Sequence, residues 1–217
     1  MNFQGAWTWG HIRFMLEGFA VTLQVAIIAI ILSFILGTLI GVLRYTRLPI
    51  LSPILTIVVE ALRNLPLLLI IMFVYLALPE LGLRLGVFNS AIIGLTVFEM
   101  AMISEIVRGG LISVDKGQIE AARASGMTYT QTLWHIVLPQ ALVKMIPPTV
   151  SQFISLLKDT SLAVAIALPE LMHNSQIIYN GNPSYINPIL LLAALFYFVT
   201  NFLLSQFALR LERRLRY

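Results

Sequence analysis

The sequence has 217 residues, of which 59% are hydrophobic and only 11% are charged, and its formal net charge is +4. A soluble domain needs many more charged residues to cover its surface, so this composition predicts a membrane protein with several spans. The basic residues are spread over short connections between apolar segments, which argues against a nucleic-acid partner. Cysteine is absent, which excludes disulfides and thiolate metal sites.

Five apolar segments are long enough to cross a bilayer as helices, because about 20 residues suffice. The first segment is too long for a signal peptide and follows no basic region, so we expect it to be retained. The sequence therefore predicts an all-α membrane protein with five transmembrane helices in one domain, residues 1–217. Pro66 is expected to kink the second span. The predicted spans are residues 16–42, 53–78, 87–107, 146–168 and 185–209.

The basic residues in the connections fall mostly on one side of this five-span arrangement. The opposite side has only Arg13 and Arg84. By the positive-inside rule, the N-terminus is expected outside and the C-terminus in the cytoplasm, together with the connection 109–145. The basic residues on the predicted cytoplasmic side are Arg44, Arg47, Arg108, Lys116, Arg123, Lys144, Arg210, Arg213, Arg214 and Arg216.

Charged residues inside the predicted spans cost about 2.5–3.5 kcal/mol each on insertion scales, and so indicate either function or buried pairing. Glu60, Arg63 and Asn64 lie at positions i, i+3 and i+4, hence on one helical face. Glu105 and Arg108 form a second i, i+3 pair. A structural ion pair and a substrate role remain open for both groups.

Glu99 differs from these pairs because no basic residue lies three or four positions away. Its side chain must therefore face water, another helix or a ligand, and we favour the transport lumen. In the fourth span Lys158 and Asp159 are adjacent, so their side chains point about 100° apart.

The predicted cytoplasmic connection 109–145 contains two short helices. One covers Lys116–Ala124, which is rich in alanine, and ends near Gly126. The other covers Thr130–Leu138 and is expected to end at Pro139. Pro147 and Pro148 are expected to mark the start of the fourth span.

The same connection carries the pattern E-A-A, three residues, G, nine residues, I-x-L-P, from Glu120 to Pro139. At every position it resembles the cytoplasmic signature loop of the membrane subunits of bacterial ABC importers. The resemblance implies a type I importer permease, whose loop forms a coupling helix that docks in a groove on a separate ATPase. It assigns the ATPase-coupling role to Glu120, Ala121, Ala122 and Gly126.

Three further motifs resemble one subfamily, the permeases for polar amino acids such as histidine, glutamine, glutamate, arginine and opines. Glutamine is the first expectation for the substrate, and glutamate or arginine the next. A small residue is usual in that subfamily where Glu99 stands, and a carboxylate there suits an ammonium or cationic group. The motifs are Glu60-x-x-Arg63-Asn64-x-Pro66, Ala101-x-x-x-Glu105-Ile106-x-Arg108-Gly109-Gly110 and Leu157-Lys158-Asp159-Thr160-Ser161-Leu162.

The resemblance also implies partners and a location. The chain itself is expected to be no enzyme and to bind no cofactor directly, since ATP and Mg are used by the ABC ATPase subunits. An extracytoplasmic amino-acid-binding protein, a second permease copy or sister permease, and membrane lipid complete the expected partners of a multi-pass protein of the bacterial cytoplasmic membrane. Segments Glu80–Gly86 and Met172–Tyr185 are expected to form the docking surface for the binding protein. The substrate-pathway candidates are Glu60, Arg63, Asn64, Glu99, Lys158, Asp159 and Ser161.

Two other classes of function compete with this interpretation. A secondary amino acid transporter or channel subunit would use the buried charges as an ion relay, but it leaves the spaced signature unexplained, and no inverted repeat is visible. An intramembrane enzyme is disfavoured because the sequence has neither H-E-x-x-H nor G-x-S-x-G. His11, His135 and His173 lack metal-ligand spacing, so we predict no metal site.

Overall fold

The computed structural model describes the backbone of residues 1–215 and the side chains of residues 1–210. Within that part of the chain every regular element is helical, which confirms the predicted all-α class. Three of the counted basic side chains, Arg213, Arg214 and Arg216, lie outside the described residues. The α-helices are α1 (Phe3–Ala6), α2 (Trp9–Tyr45), α3 (Leu51–Arg63), α4 (Leu67–Leu76), α5 (Val87–Ile112), α6 (Lys116–Ala124), α7 (Tyr129–Thr132), α8 (Leu138–Asp159), α9 (Leu171–Gly181) and α10 (Ile186–Leu215).

Three helical stretches of the described chain are long and apolar enough to cross a membrane alone: α2, α5 and Pro183–Arg210. Two more qualify only as bent pairs of helices. The stretches Leu51–Arg63 and Leu67–Leu81 meet at 101°, and Tyr129–Ile166 and α9 meet at 50°. The chain is therefore a membrane protein with three spans, or up to five if each bent pair counts as one.

The sharper of the two bends separates α3 from α4. Pro66 adopts extended backbone, with φ −61° and ψ 130°, just before α4. Its ring disfavours helical backbone at the preceding residue, Leu65, so the helix cannot continue through this point. The Glu60 carbonyl oxygen accepts hydrogen bonds from both the Asn64 side chain, over 2.7 Å, and the Asn64 backbone amide, over 3.2 Å, which closes the end of α3. The expected kink at Pro66 is in fact a complete break.

The longest helix, α2, packs against α5 at very short range. A Cβ atom added to Gly37 would lie 2.7 Å from the Cβ of Ile103, and one added to Gly41 would lie 2.7 Å from the Ser104 carbonyl oxygen. Small residues repeated every three or four positions let transmembrane helices approach closely. The sequence analysis did not use this pattern. The buried small residues of α2 recur at intervals of three or four: Gly18, Thr22, Ala26, Ala29, Ser33, Gly37 and Gly41.

Two buried apolar clusters hold the polar groups described below in place. The first joins α2, α4 and α5 to a 3₁₀ turn, Thr160–Ile166, which separates α8 from α9. The second lies near one end of the spans, where Ile103 and Val107 of α5 pack against Ala141 and Met145 of α8. The connection between α5 and α8 is thereby anchored to the bundle rather than free.

Candidate functional site

The helix α6 matches the predicted limits, Lys116–Ala124, and both of its ends are capped. Asp115 Oδ1 accepts a hydrogen bond from the Gly117 amide over 2.7 Å at the start. At the end, Gly126 has φ +87°, a left-handed conformation that glycine adopts without strain. The Met127 amide then donates to the Ala122 carbonyl over 3.2 Å, and the Gly126 amide donates to the Arg123 carbonyl over 3.1 Å. This closure makes α6 a short, rigid unit with a defined end.

Only part of the predicted coupling set is available to a partner. Glu120, Ala121 and Gly126 are exposed, whereas Ala122 is buried against the rest of the chain. Ala121 and Ala122 therefore do not present one common surface, because adjacent helical residues point about 100° apart. The structure adds two aromatic side chains that the sequence analysis passed over: Tyr129 is 60% exposed and Trp134 is 64% exposed.

The helix after α7 does not end at Pro139. Residues Leu133–Val137 form a π-helical turn that runs directly into α8. Proline has no amide hydrogen, and its ring crowds the carbonyl four residues earlier in a regular α-helix, so a wider turn accommodates it. Pro147 and Pro148 likewise lie inside α8 and do not mark the start of a span, contrary to the prediction.

The two ion pairs predicted on separate spans are one cluster of five charged residues. Arg63 Nη1 lies 3.1 Å from Glu60 Oε1 and 3.7 Å from Glu105 Oε2. Arg108 Nη2 lies 2.5 Å from Glu105 Oε1. Arg44 joins both carboxylates, at 3.6 Å from Glu60 and 3.0 Å from Glu105. The cluster therefore connects α2, α3 and α5 near the end from which α6 departs.

Arg44 is the centre of this cluster, and the sequence analysis used it only as a basic residue of a connection. Its side chain is 1% exposed. Its guanidinium also donates to the Ser104 hydroxyl over 3.2 Å and to the Thr56 hydroxyl over 3.3 Å. A buried arginine that satisfies four partners positions the helices around it, since an unpaired buried charge is very costly.

Glu99 faces a neighbouring helix within the chain. It is 1% exposed, and one carboxylate oxygen accepts a hydrogen bond from Gln152 of α8 over 3.2 Å. Its other oxygen is buried and has no partner among the described residues, as is also true of the Thr96 hydroxyl one turn earlier on α5. Buried polar atoms without partners are rare, and here two lie on one face of one helix.

The remaining pathway candidates lie at the break between α8 and α9. Lys158 is exposed and Asp159 is half-buried at the end of α8. The Ser161 hydroxyl donates to the Lys158 carbonyl over 2.7 Å in the first residues of the 3₁₀ turn. The 3₁₀ turn packs against α4 and α5. The structure therefore places Lys158–Ser161 at the second helix break, and Glu60–Asn64 next to the first.

A second buried carboxylate was missed by the sequence analysis. Glu170 is fully buried and accepts hydrogen bonds from the Met172 amide over 2.9 Å, the His173 amide over 2.7 Å and the Tyr197 hydroxyl over 3.2 Å. It caps α9 and fixes that helix to α10. The available signal was an acidic residue directly after Pro169 and before an apolar run, which is typical of a helix start.

The predicted docking segment Met172–Tyr185 is mostly helix α9 instead of a loop. Asn174 is buried and donates a hydrogen bond to the Phe14 carbonyl over 2.8 Å, so its side chain is not available to a partner. His173 and Tyr179 are half-buried, and Asn180 is exposed. Of these four polar or aromatic residues, Asn180 alone is well exposed.

A helical membrane protein with broken spans, buried charges and a capped helical hairpin between two spans has the construction of a transporter permease subunit. Comparison with known proteins agrees with this class. The chain belongs to the family described as the inner membrane component of binding-protein-dependent transport systems, which matches residues 29–217. It is thus a membrane subunit of an ABC importer and not itself an enzyme.

Two curated relatives and one solved structure illustrate the similarity. The chain is 60% identical to the probable glutamine ABC transporter permease protein GlnP of Bacillus subtilis, over 99% of each chain. It is 33% identical to the glutamine transport system permease protein GlnP of Escherichia coli K12, over 100% of this chain and 99% of the relative. A crystal structure of an amino acid ABC transporter with histidines matches with a TM-score of 0.89 and 26% identity, covering 94% of this chain and 95% of that one.

Proposed function

We propose that this chain is the permease subunit of an ATP-driven importer that takes up glutamine, with glutamate and arginine as the next candidates. The observation that carries the proposal is the 60% identity, over nearly the full length of both chains, to a probable glutamine permease. The resemblance of the Lys158–Ser161 motif to the permeases for polar amino acids supports the same substrate class.

In this proposal the chain crosses the bacterial cytoplasmic membrane five times, with its N-terminus outside. An extracytoplasmic amino-acid-binding protein delivers the substrate, and a second copy or a sister permease completes the pathway. Separate ABC ATPase subunits bind ATP and Mg and contact the exposed Glu120 and Ala121 of α6 and Gly126 in the turn after it. Because α6 follows directly on α5, movement of α6 is transmitted to the span that carries Glu99 and the charged cluster.

The proposed substrate route runs beside the two helix breaks. Broken helices at membrane depth are tolerated where the free backbone groups line a cavity or are covered by protein, and they mark substrate sites in other transporters. Glu99 has a buried carboxylate oxygen without a partner among the described residues, which an α-ammonium group could engage. Glu60, Arg63 and Asn64 flank the first break, and Lys158, Asp159 and Ser161 lie at the second.

The substrate is tested by reconstituting the chain with its copurifying ATPase in proteoliposomes, adding each candidate binding protein of the host and a panel of amino acids. Glutamine together with one binding protein is expected to stimulate ATP hydrolysis most. Stimulation by another amino acid alone would reject glutamine and keep the importer assignment.

The role of Glu99 is tested separately with Glu99→Gln, which preserves size, keeps one acceptor oxygen for Gln152 and removes the negative charge. We expect the glutamine concentration for half-maximal uptake to rise while the amount of copurified ATPase stays unchanged. An unchanged concentration dependence, at unchanged thermal stability, would remove Glu99 from the pathway.

A further inference from the structure

A pocket with two basic side chains in its lining lies where α2 and α5 end and α6 begins. Tyr45 and Arg47 come from the end of α2, Ile112 ends α5, and Lys116 begins α6. Together with Tyr129 they line a cavity of about 300 Å³. Since α2 and α5 are candidate spans that end at the same side of the bundle, a bilayer crossed by both helices would pass from hydrocarbon to headgroups near this cavity.

The two cations of the pocket have no acidic partner among the side chains of residues 1–210. Among the side chains that the structure describes, every arginine of the charged cluster is paired with a carboxylate, and so is Arg13, whereas neither Arg47 nor Lys116 forms a salt bridge. The nearest carboxylate in sequence, Asp115, is engaged by the Gly117 amide. The pocket lining therefore contains two basic side chains and no acidic one, which favours an anion.

The pocket also has an apolar side, which a small soluble anion would not use. Ile112 is 49% exposed, and Ile119 of α6 lines the same cavity. A ligand that fits must combine a negative headgroup with a hydrocarbon tail. Basic pockets between transmembrane helices bind anionic lipid headgroups for this reason.

We propose that this pocket binds an anionic phospholipid. Its phosphate lies between Arg47 and Lys116, the hydroxyls of Tyr45 and Tyr129 are within the pocket to donate hydrogen bonds, and an acyl chain runs past Ile112. Arg47 directly follows the C-cap residue of α2 and has φ +54°, a left-handed conformation that commonly ends a helix and here turns the chain beside the pocket. A lipid bound in this way links the end of α2 to the first residue of α6.

The test uses the full-length chain, delipidated in detergent. It is titrated with phosphatidylglycerol, with phosphatidylcholine of the same acyl chains, or with inorganic phosphate, and the bound fraction is measured by native mass spectrometry. We expect phosphatidylglycerol to bind best. The double variant Arg47→Gln/Lys116→Gln should bind it about 30-fold more weakly, and the exchanged pair Arg47→Lys/Lys116→Arg should retain binding.

The matched control is Arg123→Gln/Lys144→Gln, which removes the same charge at the same end of the bundle but outside the pocket. Its affinity for phosphatidylglycerol should change less than about twofold. An equal loss in both double variants would show general attraction to a basic surface and overturn the site. If phosphatidylcholine binds equally well, the ligand need not be an anion and the proposal is wrong. If inorganic phosphate binds equally well, the ligand need not be a lipid and the proposal is also wrong. A failure of this proposal leaves glutamine uptake untouched, since uptake is measured independently.

Discussion

Replacing Gly41 by valine tests the close packing of α2 on α5 most severely. The first added carbon would lie 2.7 Å from the Ser104 carbonyl oxygen and 2.8 Å from the Val107 Cβ, and neither atom can move without its helix. Overpacking of this kind costs about 1–3 kcal/mol, and the two further methyl groups of valine place Gly41→Val at the upper end. For a chain of this size about 3 kcal/mol corresponds to a melting temperature lowered by about 6–12 °C.

The matched control is Gly109→Val, the same exchange on α5 near the same end of the bundle, where an added Cβ meets nothing within 4 Å. It should change stability by less than about 0.5 kcal/mol. The melting temperatures of both variants are compared in detergent, where unfolding is monitored as the loss of monodisperse protein. Equal shifts in the two variants, or no shift for Gly41→Val, would refute the proposed α2–α5 contact.

Three further exchanges test other parts of the structure. Arg44→Met removes the centre of the charged cluster and should destabilise the chain by about 3 kcal/mol, whereas Arg13→Met breaks a solvated pair and should have almost no effect on thermal unfolding. Glu170→Ala deprives α9 of its cap and should cost about 2 kcal/mol by the same assay; an unchanged melting temperature would deny the capping role. Gly126→Val forces a β-branched residue to φ +87° and should reduce ATPase copurification and uptake without preventing membrane insertion, while Gly126→Asn, which tolerates that conformation, should retain both. Normal transport by Gly126→Val would contradict the coupling role of this turn.

Local signals in the sequence were sufficient for the elements that depend on local chemistry. The limits of α6 follow from an alanine-rich run and a glycine that accepts left-handed backbone, and both are visible without tertiary contacts. Pro66 likewise predicts an interruption, although the size of the bend depends on packing. The predicted helix end at Pro139 is wrong because a π-helical turn, Leu133–Val137, admits this proline within a continuous helix. Sequence periodicity does not reveal such a turn.

The site residues also divide into contacts that helical spacing predicts and contacts that depend on how separate helices meet. The pairs Glu60–Arg63 and Glu105–Arg108 could be predicted from helical spacing, but their union through Arg44 requires three helices to meet. Whether Ala122 is buried or exposed depends on how α6 lies against its neighbours, which spacing alone cannot provide.

The energy source of glutamine uptake tests most directly whether this chain works in an ATP-driven importer. Proteoliposomes that contain this chain, its copurifying ATPase and a binding protein are supplied either with ATP on the side of α6 or with a proton or sodium gradient and no ATP. Labelled glutamine is expected to accumulate with ATP and to stay at background with either gradient alone. Accumulation driven by a gradient without ATP would contradict the account and establish a secondary transporter.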